Sequence, residues 1–229
     1  MSSKGAGIKA EPKPALRVGV IGAGVMGSNH ARVLTGLPDV HLVGVVDPLP
    51  AHRARVTEFA NCGTFATLDE LVAEGVDAVT VAAPTHLHHE IALACIARKV
   101  HLLVEKPIAS SVEEGREIVT AAQRAGITLM IGHVERFNPA VAAIKKAISG
   151  EDILSIAITR VGPFPPRMSN VGVVIDLAVH DIDLIRWFTE SDIVEVQPQL
   201  SSAVAEREDI ALLQFRTASG VLAHINTNW

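Results

Sequence analysis

An apolar, β-branched run near the beginning of the chain, Leu16–Ile21, leads directly into the glycines Gly22, Gly24 and Gly27. Glycine weakens strand and helix interiors alike, so this spacing indicates a backbone that turns tightly and allows a close approach. The following residues, Val25–Thr35, have the pattern of a helix. A strand, a glycine turn and a helix in this order favour a fold in which strands and helices alternate along the chain.

Strand-like and helix-like segments then alternate as far as Gly132. Short apolar runs predict buried strands at Leu16–Ile21, His41–Asp47, Asp77–Ala83, Val100–Val104 and Ile127–Ile131. Between them the sequence predicts helices at Val25–Thr35, Ala51–Ala60, Leu68–Ala73, His88–Arg98 and Val112–Ala125. Such alternation is typical of right-handed crossovers, and it predicts an α/β domain with a doubly wound parallel sheet of the Rossmann type.

The pattern changes after Gly132. Helices are predicted at Pro139–Ile148 and Val173–Phe188, and strands at Ile153–Val161, Ile193–Ala203, Asp209–Thr217 and Val221–Thr227. This order indicates an α+β domain with an antiparallel sheet. We therefore predict a disordered tail at residues 1–15, an α/β domain at residues 16–132 and a second, α+β domain at residues 133–229.

Composition excludes several classes of function. The 229 residues carry a net charge of -5 without a dense basic stripe, which argues against nucleic acid as a partner. No apolar run reaches the roughly 20 residues of a membrane span, and the tail lacks the apolar core of a signal peptide. Cys62 and Cys95 have no ligand spacing, and His86, His88 and His89 do not share a helix face, so we expect no metal site and a cytoplasmic location.

Asp47 indicates which ligand the glycine turn binds. In a G-x-G-x-x-G turn the first glycine permits the bend, the second lets a diphosphate approach and the third lets the helix pack on the strand. The helix amides that begin at Val25 and Met26 would face the phosphates. Asp47 ends the next strand, twenty residues after Gly27, where a carboxylate binds ribose hydroxyls and repels a 2′-phosphate. The sequence thus predicts NAD, with NADP disfavoured; the alternative is an ordinary glycine turn beside a solvated aspartate.

Hydride chemistry needs a base and a positive group near the nicotinamide end of the site. Lys106, in Val-Glu-Lys-Pro-Ile after a predicted strand, can stabilise a developing alkoxide, although it can equally be a surface lysine. Asp176 and His180 are four residues apart on a predicted helix, so a carboxylate can orient an imidazole base there. The alternative is a polar helix stripe, since Asp181 and Asp183 follow. The chain has no Tyr, which excludes the Tyr–Lys pair of short-chain dehydrogenases.

Taken together, these residues resemble the Gfo/Idh/MocA oxidoreductase family from Leu16 to the end of the chain. The markers occur in the family's order: the glycine turn, Asp47, the segment Pro84-Thr85-His86-Leu87-His88, the tripeptide Glu105-Lys106-Pro107, and Asp176 through His180. The resemblance implies that Lys106 and His180 are catalytic with Asp176 assisting, and that the Lys106–Pro107 peptide bond is cis. It also implies cofactor contacts from Gly22, Gly24, Val25, Met26, Gly27, Asp47, Pro84, Thr85, His88, Glu105 and Lys106. Thr85 stands where the family often has Asn.

Three segments, residues 132–139, 162–167 and 171–183, are similar to those of the family's enzymes that oxidise the 3-hydroxyl of UDP-N-acetylglucosamine. This similarity implies substrate contacts from Arg136, Asn138, Arg160 and Arg167, because arginines suit a diphosphate; each arginine can also be a solvated surface residue. The predicted activity is therefore NAD-dependent oxidation of a sugar or sugar-nucleotide hydroxyl. Inositol or simple sugars, and a non-catalytic NAD-binding regulatory module, are the alternatives.

The resemblance has one departure, because family members usually continue beyond the point that corresponds to Trp229. The sequence therefore predicts a truncated second sheet with an unpaired edge strand. Family members often form oligomers through that sheet, so a homo-oligomer is expected from the resemblance as a possible assembly.

Overall fold

The computed structural model describes residues 14–163 and 171–229. The chain divides into two compact units, and the division falls between Ile131 and Gly132. Neither unit, in its described residues, contains a helix that is both long enough and apolar enough to cross a membrane.

The first unit is a parallel sheet with helices on both faces. Its strands are β1 (Leu16–Ile21), β2 (Val40–Val46), β3 (Gly63–Phe65), β4 (Ala78–Val81), β5 (His101–Val104) and β6 (Leu129–Ile131), in the spatial order β3-β2-β1-β4-β5-β6. Its helices are α1 (Val25–Thr35), α2 (Pro50–Thr57), α3 (Leu68–Ala73), α4 (His88–Ala97) and α5 (Val112–Ala125). The strand order reverses between β1 and β4, and ligands of such sheets bind at the carboxyl ends of the strands beside this switch point. The predicted doubly wound parallel sheet is confirmed.

Buried apolar side chains fix which helix covers which face of this sheet. Ala31 of α1 and Val56 of α2 pack with Val20 and Val45 on one face. On the other face Leu71, Ile96 and Ile118 bring α3, α4 and α5 into one cluster with the alternate side chains of β4 and β5. Strands buried on both faces explain the nearly continuous apolar runs from which they were predicted.

Capping side chains set the ends of two of these helices. Thr67 accepts a hydrogen bond from the Glu70 N–H and Glu70 reaches back to the N-cap backbone, a capping box that starts α3. Ser111 accepts from the Glu114 N–H at the start of α5, and Gly126, with φ 67°, ends that helix. These caps satisfy backbone groups that the ends of the helices would otherwise leave without partners.

The strand β3 was not predicted. It has only three residues, it begins with a glycine, and its apolar content is one partly buried phenylalanine, Phe65. A strand this short carries too little alternation to be recognised, and it forms because β2 offers it a parallel partner.

The second unit is a four-stranded sheet packed against helices. Its elements are α6 (Pro139–Ala147), β7 (Ser155–Val161), a π-helical segment at Val174–Ala178, α7 (Val179–Thr189), β8 (Ile193–Ser201), β9 (Ile210–Thr217) and β10 (Leu222–Asn228). The strands lie in the order β7-β10-β9-β8. Leu213, Phe215 and Ile225 of the sheet pack against Ala178 and Ile185 of the helices.

The second sheet is mixed rather than entirely antiparallel. The strands β8, β9 and β10 form an antiparallel meander, whereas β10 pairs with β7 in parallel. The direction of β7 follows from its connection: a helical segment leads from β7 to β8 on the opposite edge, and so both strands run the same way. Alternation of apolar residues gives no information on strand direction, so the sequence could not predict this pair.

The edge strand β8 is solvent-exposed along nearly its whole length. Val194, Val196 and Leu200 are each more than half exposed, and Pro198 lies among them. An exposed apolar edge is a surface on which strands can add, and a proline within it removes one donor. The predicted self-association through this sheet stays a prediction, and the molecular mass in solution would test it.

Candidate functional site

The glycine turn after β1 has the close approaches that its spacing predicts. Gly22 has φ +90°, and a Cβ there would lie 2.7 Å from the backbone of Ala82 and Ala83. A Cβ at Gly27 would overlap the carbonyl oxygen of Gly22. Around Gly24, by contrast, no atom from elsewhere in the described chain lies within 4 Å of where a Cβ would be. Two glycines are therefore required by packing, and the third leaves open space beside the backbone.

The open space at Gly24 lies where α1 begins. Gly24 is the N-cap of α1, no side chain caps its amides, and the first turn has no acidic residue. The first two residues of the helix, Val25 and Met26, are 65% and 46% exposed. Uncapped helix amides with room in front of them fit the diphosphate of a dinucleotide, and the exposed apolar side chains can cover it. The residues present thus fit the cofactor that the sequence predicts.

Asp47 follows β2 and is 6% exposed. Its Oδ2 accepts a hydrogen bond from the Ala23 N–H at 2.8 Å, and its Oδ1 accepts one from the Leu49 N–H at 2.9 Å. The Nδ1 of His52 donates to Oδ2 at 3.1 Å. Burial by itself raises the pKa of Asp47, but these hydrogen bonds and the charge of His52 outweigh it and hold the pKa below its ordinary value. An ionised carboxylate therefore lies directly beneath the glycine turn.

The segment after β4 contains a short 3-10 turn, Thr85–Leu87, which leads into α4. Pro84 is exposed and Thr85 is half-buried, so both can contact a ligand at this edge. His88 is only 1% exposed. Its Nδ1 lies 3.0 Å from the carbonyl oxygen of Pro107, and its Nε2 lies 2.9 Å from that of Ala83. His88 thus links the backbone after β4 to the backbone after β5.

The tripeptide after β5 forms a turn in which the Lys106–Pro107 peptide bond is cis, as the resemblance implied. Lys106 is half-buried. The Lys106 N–H donates to Glu105 Oε2 at 3.2 Å, and Glu105 Oε1 lies 2.9 Å from His30 Nε2 of α1. The turn lies two strands from β1 in the same sheet, at the carboxyl ends where ligands of this fold bind.

In the second unit Asp176 lies in the π-helical segment, and His180 lies in the first turn of α7 that continues from it. Both side chains are half-buried. The sequence predicted one regular helix here; the structure instead has a π-helical turn around Asp176, a feature that is often found at functional sites. An extra residue in a turn has no signature in the apolar pattern, so periodicity could not predict it.

Two of the predicted substrate arginines, Arg136 and Arg160, each hold a buried aspartate of α7. Arg136 donates from Nε and Nη2 to the two carboxylate oxygens of Asp183, at 2.8 and 2.6 Å. Arg160 donates from Nε and Nη2 to Asp181, which is completely buried, and from Nη1 to Glu135 at 3.2 Å. These pairs account for much of the donor capacity of both guanidinium groups.

The partner aspartates were seen in the sequence only as a polar helix stripe. Their spacing, two residues apart, gives no sign that both are buried. Asn138 is the N-cap of α6 and accepts from the Ala140 N–H at 3.1 Å, and Arg167 lies outside the described residues. No group of three or more His, Cys, Asp and Glu side chains in residues 14–163 and 171–229 is arranged to hold a metal ion.

Comparison with known proteins matches both units to one family. Residues 16–133 match the oxidoreductase family GFO_IDH_MocA, NAD-binding Rossmann fold, and residues 154–229 match a GFO/IDH/MocA C-terminal domain. The UDP-N-acetylglucosamine 3-dehydrogenase of Acidithiobacillus ferrooxidans is 33% identical over 210 residues, which are 92% of this chain and 66% of that protein. Its crystal structure, under the name GnnA, superposes with a TM-score of 0.87 over 93% of this chain and 67% of that chain.

Two other relatives are a curated dehydrogenase and a solved structure with bound NAD. The inositol 2-dehydrogenase of Rubrobacter xylanophilus is 34% identical over 93% of this chain and 65% of that protein. GenD2 from gentamicin A biosynthesis, solved in complex with NAD, is 27% identical with a TM-score of 0.85, over 100% of this chain and 69% of that chain. The present chain spans about two thirds of the length of the curated relatives that it matches.

Proposed function

Since the chain belongs to the Gfo/Idh/MocA oxidoreductase family, we propose that it takes part in the NAD-dependent oxidation of a hydroxyl group on a sugar or sugar nucleotide. The observation that carries the proposal is the turn Glu105-Lys106-Pro107 at the carboxyl end of β5, in the same sheet as the glycine turn. A positively charged side chain at that edge is what a reaction that develops negative charge on oxygen requires.

NAD is the proposed cofactor. When bound at this edge, NAD would supply the acceptor for the hydride that leaves the substrate carbon. Gly24 leaves room for its diphosphate, the first amides of α1 would donate to the phosphates, and the Asp47 carboxylate would accept from a ribose hydroxyl. Pro84, Thr85 and Glu105 complete the proposed contacts, and His88 contributes by holding the two strand ends together.

His180 is the proposed base. Its imidazole takes the proton from the substrate hydroxyl, and Asp176 keeps the ring oriented and stabilises the charge that the ring then carries. The ammonium group of Lys106 stabilises the oxygen while negative charge develops on it. These roles follow the family resemblance, and the carboxyl-edge position of Lys106 supports its part.

The proposed substrate class is a UDP-sugar, with UDP-N-acetylglucosamine oxidised at its 3-hydroxyl as the first candidate. Support comes from the A. ferrooxidans relative, whose name specifies that reaction. Arg136, Asn138, Arg160 and Arg167 are the proposed contacts to the uridine diphosphate. Inositol is the second candidate, since the R. xylanophilus relative is 34% identical and is named for that substrate.

The test is turnover of a substrate panel followed by NADH absorbance, with UDP-N-acetylglucosamine, inositol and simple sugars. Lys106→Met and His180→Asn should each lower turnover by about 10²- to 10⁴-fold, the usual worth of a positioned acid or base, while NAD still binds. Lys146→Met and His224→Asn replace exposed residues of the same types and should retain wild-type turnover. Normal turnover in both site variants would overturn the assignment, and NADH binding without turnover of any substrate would favour the regulatory alternative.

A further inference from the structure

The turn that carries Lys106 is held on both sides by histidine side chains from other elements. On its C-terminal side the carbonyl oxygen of Pro107 lies 3.0 Å from Nδ1 of His88. On its N-terminal side His30 Nε2 donates to Glu105 Oε1 at 2.9 Å, and Glu105 Oε2 accepts the Lys106 N–H at 3.2 Å. Lys106 therefore lies between two residues that are tied to two different helices.

His30 comes from α1, the helix that begins at the glycine turn. It follows Gly27 by three residues, and its side chain reaches the end of β5 from there. The side chains of His30 and Glu105 are 17% and 14% exposed, so water screens this hydrogen bond far less than it screens a surface pair. The bond is thus strong enough to fix the position of the Glu105 carboxylate.

The charge of Glu105 agrees with this geometry. Burial by itself raises the pKa of the carboxyl group. The hydrogen bond and charge of His30, followed by the N–H and charge of Lys106, outweigh burial and hold the pKa below its ordinary value. Glu105 is therefore a carboxylate that holds the main chain of Lys106 through one oxygen and receives His30 through the other.

We propose that His30 is a positioning residue for the reaction: it holds the Glu105 carboxylate, and Glu105 fixes the backbone from which Lys106 projects. Removing the imidazole lets the carboxylate rotate, and the Lys106 N–H loses its fixed acceptor. The inference rests on the proposed role of Lys106 and adds a residue that touches neither substrate nor cofactor in that role.

The chain provides a matched control. His89 Nε2 of α4 lies 2.8 Å from Glu117 Oε2 of α5, a histidine–glutamate bond of nearly the same length. Its glutamate is 63% exposed, and the pair joins α4 to α5, whereas Glu105 and Lys106 follow β5. Loss of this bond removes the same kind of interaction without affecting Glu105.

The first test observes the Lys106 side chain by NMR spectroscopy of the full chain without cofactor. Lysine is labelled with ¹³C at Cε, and the NMR signal of Lys106 is assigned by its loss in Lys106→Arg. His30→Ala should shift and broaden that signal, whereas His30→Gln, which keeps an N–H donor near the position of Nε2, should restore the wild-type signal. His89→Ala should leave it unchanged.

A Lys106 signal in folded His30→Ala that coincides with wild type overturns the inference, as does failure of His30→Gln to restore the signal. Should His30→Ala fail to fold, Glu105→Gln keeps the size of the side chain and removes the ionised acceptor. The Lys106 signal should then shift in Glu105→Gln, and an unchanged signal in that variant would also overturn the inference.

The second test is kinetic. His30→Ala should lower the turnover number by about 10- to 100-fold, as expected for a displaced catalytic group, with little change in the KM for NAD. In the Lys106→Met background the same substitution should cause no further loss, because both changes act through one group. An equal additional loss in that background would refute the inference alone, whereas full turnover of Lys106→Met would refute the proposed function instead.

Discussion

The Asp47 carboxylate accepts hydrogen bonds from three protein donors, the N–H groups of Ala23 and Leu49 and the ring of His52. A carboxylate offers about four lone-pair positions, so roughly one is left for a ribose hydroxyl. Arg53 donates to the main-chain carbonyl of Asp47, which brings a second basic side chain to this point. Asp47 therefore has two roles: it connects the glycine turn to the end of β2 through the Ala23 N–H, and its negative charge would repel a 2′-phosphate.

Asp47→Asn keeps one carbonyl oxygen as an acceptor and removes the charge. The ratio of kcat/KM for NAD to that for NADP should fall, because the repulsion of the 2′-phosphate is lost while His52 and Arg53 remain nearby. The ratio is measured with both cofactors at one ionic strength, and Asp39→Asn, an exposed change in the same unit, is the control. An unchanged ratio would mean that Asp47 does not select the cofactor.

The elements of the second unit are connected by buried ion pairs. Arg160 lies on β7 and Asp181 lies on α7 next to His180, so their hydrogen bonds fix the start of the helix against the edge of the sheet. The hydrogen bond to the buried Asp181 is the main cause that raises the pKa of Arg160. A carboxylate with no exposed surface depends on such a partner, because an unpaired buried charge is costly.

Arg160→Met should lower the free energy of unfolding of the second unit by about 3–5 kcal/mol, the usual cost of leaving a buried charge without its partner. Arg216→Met breaks an exposed pair with Glu195 in the same sheet and should cost less than about 1 kcal/mol. Urea denaturation of both variants measures the difference. Equal losses would show that Asp181 does not depend on Arg160.

The whole molecule consists of two units that both bury carboxylates, and in the second unit arginines hold those of Asp181 and Asp183. In the first unit the low-exposure carboxylates of Asp47 and Glu105 have histidine and main-chain partners, and both have pKa values below the ordinary 3.8 and 4.5. A carboxyl group with a lowered pKa in the folded state stabilises the fold above its unfolded value, and the stabilisation is lost as the pH falls through the folded value.

These two groups should therefore leave the free energy of unfolding of the full chain nearly constant down to about pH 5. Below about pH 4.5 that free energy should decrease as the pH is lowered. In Asp47→Asn the slope of stability against pH below pH 4 should be shallower, since one proton fewer is taken up on unfolding. Glu58→Gln, an exposed substitution in the first unit, is the comparison. Denaturation curves from pH 6 to pH 3 give the slopes, and an identical slope for Asp47→Asn and wild type would contradict the prediction.

The elements with strong local signals were predicted from sequence. The strands β1, β2, β4 and β5 are continuous apolar runs, and Gly22 and Gly27 sit where only glycine fits. Each of these features depends on neighbours within a few residues, which is the range over which a sequence pattern is informative.

Other features depend on residues far apart in the chain. The bond between His30 and Glu105 spans 75 positions, and the bond between Arg136 and Asp183 spans 47. The same holds for the parallel pairing of β7 with β10 and for β3, which forms beside β2. No local pattern specifies such partners, because they meet only after the sheets have formed.

The sequence by itself determined the order of the elements, the glycine turn and the identity of the side chains at the ends of β2, β4 and β5, since backbone sterics and apolar periodicity act locally. Only the tertiary structure decided which polar side chains became buried partners, so that His30 holds Glu105 while Arg136 and Arg160 hold aspartates of α7. Because burial arises only when elements pack together, the tertiary structure determines which groups form hydrogen bonds with buried charges. Spacing along the chain does not determine these partners.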